Sequence, residues 1–119
     1  MKLLTKGILK TLPPLYSQEN VKNPLVVCKF FDPTGSWTWY AYEGSYVDKN
    51  GYYDTDKEKV DFMFFGLVIG IVPEFGYFSL NELETAKQGL QGIRALPIER
   101  DIWFKPCRLS EIKNKHGIK

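Results

Sequence analysis

The chain has 119 residues, of which 44% are hydrophobic and 25% charged, a composition typical of one globular domain over residues 1–119 and too apolar for disorder. The formal net charge of +2 is too small to identify a nucleic-acid-binding protein. The charge is unevenly distributed along the sequence: residues 105–119 carry five basic side chains and one acid, whereas residues 43–61 carry six acids and three lysines. The first ten residues lack the hydrophobic stretch of a signal peptide, and no segment has the apolar length of a membrane span. The sequence therefore predicts a cytoplasmic protein without membrane association, and its cysteines are expected to be reduced.

The first predicted element is a short helix that begins after Thr5. Thr5 is a typical N-cap residue, and Leu4 and Leu9 occupy the two positions of a hydrophobic staple. Pro13 and Pro14 end the helix, because proline lacks a backbone donor and keeps the preceding residue out of helical dihedral angles.

Two aromatic-rich segments, residues 23–31 and 36–42, are predicted to pair as a β-hairpin. Between them, Asp32-Pro-Thr-Gly35 has the residue order that a type I turn favours. If these four residues form the loop, Phe31 lies opposite Ser36 and successive side chains alternate between two faces. The first face is wholly apolar and is expected to be core: Val26, Cys28, Phe30, Trp37, Trp39 and Ala41. The second face is mixed and is expected to be at least partly solvated: Leu25, Val27, Lys29, Phe31, Ser36, Thr38, Tyr40 and Tyr42.

The middle of the chain predicts a second pair of strands. After a long excursion with a turn at Asn50-Gly51, residues 61–72 form the longest apolar run. Because this run does not alternate with polar residues, we predict a central strand covered on both faces. Gly66 and Gly70 within it indicate a bulge, a bend or a close backbone contact. Residues 75–78 are predicted to return as the partner strand.

The last third of the chain begins with a clear helix start. Ser79-Leu-Asn-Glu82 is a capping box, which predicts a helix through about Lys87 that ends near Gly89. Residues 89–96 are predicted to be flexible and residues 98–104 to form a last strand. A brief helix from about residue 109 and a loose basic tail over residues 113–119 complete the prediction, since the tail has only one apolar residue to bury.

Together these elements predict an α+β fold. We expect a twisted antiparallel sheet of four or five strands with two or three short helices packed largely on one face. The expected core residues are Val26, Cys28, Phe30, Trp37, Trp39, Phe64, Leu67, Ile69, Phe78 and Leu83.

Signatures of enzymes and metal sites are mostly missing. The single histidine, His116, falls in the predicted tail, and the two cysteines do not have the spacing of a zinc site. The sequence therefore predicts no catalytic residue, no metal ligand and no cofactor, and it favours a protein that is not an enzyme.

The second face of the hairpin contains the best candidate binding residues. Lys29, Tyr40 and Tyr42 on an open sheet face would stack bases and pair with a phosphate, with Arg100, Lys105 and the basic tail as further cationic contacts. The same tyrosines suit a protein interface, where tyrosine is enriched. A third interpretation is that a helix covers this face, and the first helix is the obvious candidate.

Several motifs, spread over nearly the whole chain, resemble those of a family of small bacterial proteins and occur in the same order. This family is a domain of unknown function, and its members are carried on conjugative plasmids, integrated elements and phages. The motifs are residues 12–19, 27–31, 37–40, 64–68, 76–80 and 96–101. The resemblance implies a bacterial cytoplasm and an accessory role for a mobile element, and it transfers no catalytic residue. Such accessory proteins are often non-enzymatic binders of nucleic acid or of host proteins, including defence systems.

Two functions remain open at this point. The first is a small accessory protein that acts by protein–protein binding, possible targets including a host defence system. The alternative is a module that binds single-stranded or duplex nucleic acid through the basic and aromatic sheet face. Neither the identity of the partner nor the oligomeric state follows from the sequence.

Overall fold

The computed structural model describes residues 1–86 and 96–119, which form an α+β fold as predicted. Its main sheet is antiparallel and has five strands in the order β5-β4-β3-β2-β6, and a second sheet pairs β1 with β7. The elements are α1 (Lys6–Thr11), β1 (Leu25–Val26), β2 (Cys28–Phe31), β3 (Thr38–Val47), β4 (Asp61–Ile69), β5 (Pro73–Ser79), α2 (Leu80–Thr85), β6 (Glu99–Arg100), β7 (Cys107–Arg108) and α3 (Leu109–Lys115).

The main sheet is a meander with one returning strand. Strands β2, β3, β4 and β5 pair with one another in chain order, and β6 then pairs antiparallel with the outer side of β2. The strand predicted over residues 98–104 is limited to β6, because the chain turns at Asp101, whose carbonyl accepts a hydrogen bond from the Phe104 amide at 3.2 Å. The helix predicted through about Lys87 ends earlier, at Thr85, with Ala86 as its C-cap. Gly89 and most of the predicted flexible stretch lie outside the described residues.

The β2–β3 hairpin has a register two residues away from the predicted one. Phe31 lies opposite Thr38 instead of Ser36. The Asp32 amide donates to the Trp37 carbonyl at 3.0 Å, so the loop consists of residues 33–36. A shift of two residues keeps every side chain on its predicted face, so Trp39 remains in the core.

The predicted alternation fails at Val27. The Val27 amide donates to the Ala41 carbonyl at 2.9 Å, while β1 leaves β3 to pair with β7. As a result Val26 lies with the second face and Val27 with the first, the reverse of the prediction.

The first face forms the larger core cluster, beneath α1 and α2. α1 begins at Thr5, whose hydroxyl accepts from the Ile8 amide at 3.2 Å, and α2 begins with the predicted capping box at Ser79. The rings of Phe30 and Phe64 lie 5.2 Å apart. The cluster consists of Leu3, Leu4, Leu12, Val27, Cys28, Phe30, Trp39, Ala41, Phe62, Phe64, Phe78, Leu83 and Ile98.

The second face is covered by α3 and not by the first helix. Tyr40 is only 1% exposed, so the prediction of a partly solvated face is wrong at its centre. α1 lies against the opposite cluster, which leaves this face to the apolar side of α3. The buried members of the second cluster are Val26, Tyr40, Tyr42, Leu67, Leu109 and Ile112.

The prediction of a loose basic tail is also wrong. α3 continues to Lys115, and the next residue, His116, places its Nε2 atom 2.8 Å from the Tyr40 hydroxyl. The Ile118 amide donates to the Lys113 carbonyl at 2.8 Å, and the Ile118 side chain packs on the second cluster. These contacts hold the tail against the domain, because His116 bonds to the buried Tyr40 side chain. The composition of the tail alone does not reveal this contact.

Two of the expected core residues lie outside the core. Trp37 is 38% exposed and Ile69 is half-buried, because both lie at the end of the sheet beyond its covering helices. Trp37 instead stacks on Trp39, with ring centroids 6.1 Å apart. The other eight expected core residues are buried.

A β-bulge in β3 accounts for the close contact predicted at Gly66. Ala41 pairs with Gly66 and Glu43 pairs with Phe65, so Tyr42 is the extra residue. A Cβ atom on Gly66 would overlap the backbone carbonyl oxygen of Tyr40. Glycine is therefore required where the bulge brings the two strands together.

The Gly66→Ala substitution is expected to destabilise the protein by about 3 kcal/mol or more, because the added methyl group forces β3 and β4 apart. The Gly76→Ala substitution, on the strand paired with Gly66, is the matched control, since its Cβ meets no atom within 4 Å. It should change the free energy of unfolding by less than about 1 kcal/mol. Urea denaturation measures both, and equal effects would contradict this account of the bulge.

Candidate functional site

The two tyrosines predicted as binding residues are buried. Tyr40 and Tyr42 lie beneath α3, so neither ring is open for stacking on a base, and that part of the prediction is wrong. Burial is the main cause that raises the pKa of each tyrosine to about 12. Both side chains are therefore neutral structural groups near neutral pH.

The predicted cationic residues differ in their surroundings. The Lys29 ammonium lies 3.5 Å from a carboxylate oxygen of Asp101 and 5.8 Å from the centre of the Tyr40 ring. Arg100 is half-buried and donates through Nε to the Lys2 carbonyl at 3.2 Å. Of the five predicted residues, Lys105 alone is exposed.

The turn after β6 presents an aromatic residue that the sequence analysis placed in a strand. Trp103 is 85% exposed. Asp101 fixes the turn, because its carboxylate accepts from the Trp103 amide at 2.9 Å while its own amide donates to the Lys29 carbonyl at 2.9 Å. An aspartate two residues before the tryptophan is typical of such a turn, so Asp101 is the feature of the sequence that could have predicted a turn here instead of a strand. This Trp103 turn, residues 101–105, also carries the exposed Lys105.

A second surface lies at one end of the sheet. We define the apolar tip as Trp37, Val68, Ile71 and Val72, which with Glu74 line a cavity of about 340 Å³. Ile71 is 94% exposed. A Cβ on Gly70 would meet the Trp37 indole at 2.5 Å, so this glycine lets the indole lie across the β4–β5 turn.

A third surface is a cleft between β5, the segment 16–24 and α3. We call it the aromatic cleft, and its volume is about 380 Å³. Its lining residues are Tyr16, Gln18, Glu19, Val21, Lys22, Pro24, Tyr42, Glu43, Phe65, Phe75, Tyr77, Leu109 and Lys113.

The bulge in β3 positions a buried carboxylate at the base of this cleft. Glu43 is 3% exposed, and its two oxygens accept from the amides of Tyr16 and Gln18, both at 2.8 Å. These bonds hold Tyr16 at a φ of 69°, a left-handed conformation that costs a non-glycine residue about 1 kcal/mol. The Tyr16 ring is thereby held against Tyr53 and Tyr77, at centroid distances of 5.4 and 6.1 Å.

The lining of the aromatic cleft includes two lysines, Lys22 and Lys113, and two glutamates, Glu19 and Glu43. Hydrogen bonding of the Tyr77 hydroxyl to Tyr16, followed by burial, raises the pKa of Tyr77 to about 12. The Lys113 ammonium lies 5.5 Å from the centre of the Phe75 ring. Within residues 1–86 and 96–119 the only ion pair joins Lys29 to another residue, and residues 87–95 contain no acid, so Lys22 and Lys113 have no carboxylate partner. The sequence carries no signal for this site, because its residues come from five separate segments of the chain.

The thiols and acids do not form a reactive cluster in the described residues. Burial raises the pKa of Cys28 to about 12, and burial together with Glu111 raises the pKa of Cys107. Both are therefore thiols, not thiolates, at neutral pH. No group of three histidine, cysteine or acidic side chains is arranged to hold a metal ion in residues 1–86 and 96–119.

Comparison with protein families gives one match. The family described as "Protein of unknown function (DUF2958)" matches residues 3–114. The chain belongs to the DUF2958 family. The match confirms the expected uncharacterised domain family, and it includes the Trp103 turn, the apolar tip and every lining residue of the aromatic cleft. No curated protein and no solved structure matches the chain.

None of the helices in residues 1–86 and 96–119 is long and apolar enough to cross a bilayer.

The His116 contact predicts an acid-sensitive tail. Burial, then Lys115 and Lys29, lower the pKa of His116 below its ordinary value of 6.5. The unfolded chain then binds the proton more readily than the folded chain, so stability should fall as the pH drops below about 6.5. His116→Gln keeps a partner for the Tyr40 hydroxyl and removes the titration.

Urea denaturation at pH 7.5 and 5.5 tests this prediction, and the wild type should lose more stability than the His116→Gln variant. Carboxylates titrate equally in both proteins, so the difference between them isolates the histidine. An identical loss in the two proteins would rule out a contribution from His116.

Proposed function

We propose that this DUF2958 protein is a small, non-enzymatic accessory protein of a bacterial mobile element and acts in the cytoplasm by binding a partner protein through the apolar tip. The context of a mobile element rests on the motif resemblance, and a host defence protein is one partner class that this context suggests. The choice of surface rests on the arrangement of the apolar tip.

The exposure of Ile71 is the observation that carries this proposal. An isoleucine that is 94% exposed leaves nearly all of its apolar surface in water, and Val72 and Trp37 beside it are also exposed. Clustered exposed apolar residues are typical of interaction sites, and tryptophan is frequent among the residues that dominate binding energy. The cavity beside Trp37 has room for an apolar side chain of a partner.

Replacing both Ile71 and Val72 with lysine should abolish partner binding and leave the melting temperature nearly unchanged, because both side chains are exposed. Val60→Lys is the matched control, since Val60 is 55% exposed and Val72 54%. A photoreactive amino acid at position 71, introduced in bacterial cells, should cross-link one defined protein that the same group at position 60 does not. Equal cross-linking at the two positions, or none at position 71, would reject the apolar tip as the interface.

Nucleic-acid binding is the second candidate function, and the exposure of Trp103 favours it. With Tyr40 and Tyr42 buried, Trp103 is the aromatic residue beside the predicted cations that a base can reach, and Lys105 lies two residues away. An exposed aromatic ring with adjacent cations is typical of single-strand binders.

If this second function is correct, Trp103→Ala should weaken binding of an oligothymidylate by about 1–3 kcal/mol, the value of one stacked base. Lys105→Gln should reduce the dependence of affinity on salt by about one released counterion. Lys10→Gln, an exposed lysine on α1, is the control and should leave binding unchanged. Fluorescence anisotropy at low salt measures all three, and no binding by the wild type at low salt would eliminate this function.

A further inference from the structure

We propose that the edge strand β5 pairs antiparallel with β5 of a second copy of this chain, so that two five-stranded sheets join into one continuous sheet about a two-fold axis at Gly76. This surface differs from the proposed partner interface, because β5 begins after Ile71 and Val72 of the apolar tip. Dimerisation therefore goes beyond the proposed function and does not depend on it.

The two edges of the main sheet differ in how well they are protected from pairing. β6 has only two residues, Glu99 and Arg100, and both are charged. β5 has seven residues, follows β4 in an unbroken register and contains one charged side chain, Glu74. Within residues 1–86 and 96–119 no strand pairs with its outer side. Short length, lysines and bulges usually protect edge strands, and β5 has none of these, so its outer backbone groups are available to another strand.

A pairing centred on Gly76 uses the whole of β5. Gly76 is the middle residue of the seven, so every residue of the strand has a partner, beginning with Pro73 opposite Ser79 of the second copy. Glu74 then lies opposite Phe78, and the two glutamates do not face each other. Like charges directly opposite each other destabilise an antiparallel pair, so this register avoids the one repulsion that β5 could produce.

The same register pairs the exposed aromatic rings of the strand. Phe75 and Tyr77 are both about half exposed and both line the aromatic cleft, so they lie on one face of the sheet. Phe75 of each copy lies opposite Tyr77 of the other, and the two-fold axis forms this aromatic pair twice. Such pairs stabilise antiparallel strands, and they also remove apolar ring surface from water.

The charges beside these rings are complementary between the two copies. The Lys113 ammonium lies 5.5 Å from the centre of the Phe75 ring, and the described residues of its own chain give it no carboxylate partner. Glu19 lies near Tyr77, because its charge is among those that raise the pKa of that tyrosine. Since Phe75 of one copy lies opposite Tyr77 of the other, Lys113 of each copy comes beside Glu19 of the other. This complementarity, formed twice, favours a second copy over an unrelated strand.

The dimer carries one apolar tip at each end of the joined strands. Because Pro73 of one copy lies opposite Ser79 of the other, the two β4–β5 turns lie at opposite ends of the strand pair. Dimerisation therefore presents the proposed partner interface twice.

Sedimentation equilibrium of the full chain tests the dimer. The weight-average mass should rise from that of one chain at about 1 μM to twice that value at about 1 mM, since one strand pair is at the small end of protein interfaces. Amides on the outer side of β5 should also become protected from hydrogen exchange at the higher concentration, because they then donate to the second copy.

Phe75→Lys should abolish the dimer, because a lysine on an edge strand opposes pairing. Tyr52→Lys is the matched control, since Tyr52 is 67% exposed and lies between β3 and β4, away from β5, and it should dimerise like the wild type. The lysine double substitution at positions 71 and 72 should also dimerise, which separates this surface from the proposed partner interface. Melting temperatures at about 1 μM, where the chain is monomeric, show that each variant is folded.

Charge reversal tests the register. Lys113→Glu alone and Glu19→Lys alone should each weaken dimerisation about tenfold, because two attractive contacts become repulsive in each homodimer. An equimolar mixture of these two variants should regain the affinity of the wild type, since both contacts of a mixed dimer are complementary again. Contacts within a single chain cannot produce this recovery. Lys115→Glu, the same change of charge at an exposed position of α3, is the matched control and should leave dimerisation unchanged.

Three results would overturn the proposal. One is a single-chain mass at every concentration, including the case in which β5 binds only an unrelated extended peptide. Another is a dimer that Phe75→Lys leaves intact, since such a dimer uses a different surface. The third is a mixture of the two charge-reversed variants that associates no better than either variant alone.

Discussion

The structure depends on the bulge that places Tyr42 between two paired residues of β3. Ahead of the bulge, Trp39 and Ala41 face the cluster beneath α1 and α2. At the bulge, the extra residue turns both Tyr42 and Glu43 toward the opposite layer. The single strand β3 therefore supplies core side chains to one layer and a buried carboxylate to the other. Gly66 makes the close approach of β4 to β3 sterically feasible.

The two faces of the sheet are buried by different means. The first is closed by aliphatic and aromatic packing, with Phe30, Phe64 and Phe78 at its centre. The second contains a buried hydroxyl at Tyr40, which needs a partner and obtains one from His116. The C-terminal helix is thus held by directional bonding as well as by apolar contact, and the cleft beside it takes its shape from that docking.

The sequence predicts the elements well where the signal is local. The capping box at Ser79 and the unbroken apolar run of β4 each specify their structure within a few residues. The turn residues after Phe31 locate the hairpin, although its register differs from the predicted one by two residues. It fails where distant segments meet. The reversal at Val27 depends on the pairing of the preceding residue, Val26, with Cys107. The burial of Tyr40 depends on α3, some 70 residues further along the chain. The candidate sites follow the same division. The sequence has a turn signal at the Trp103 turn, but it has no signal for the aromatic cleft, which is assembled from five segments.

The positions of the two cysteines give the layers separate chemical reporters. Cys28 is buried in the first cluster, and Cys107 lies at the margin of the second, paired with Val26 beneath the start of α3. A thiol reagent reaches Cys28 only when the main sheet opens, whereas Cys107 is partly exposed in the folded protein and should react first. In the unmodified protein the slow phase of thiol modification therefore times the opening of the main sheet, without introducing a label.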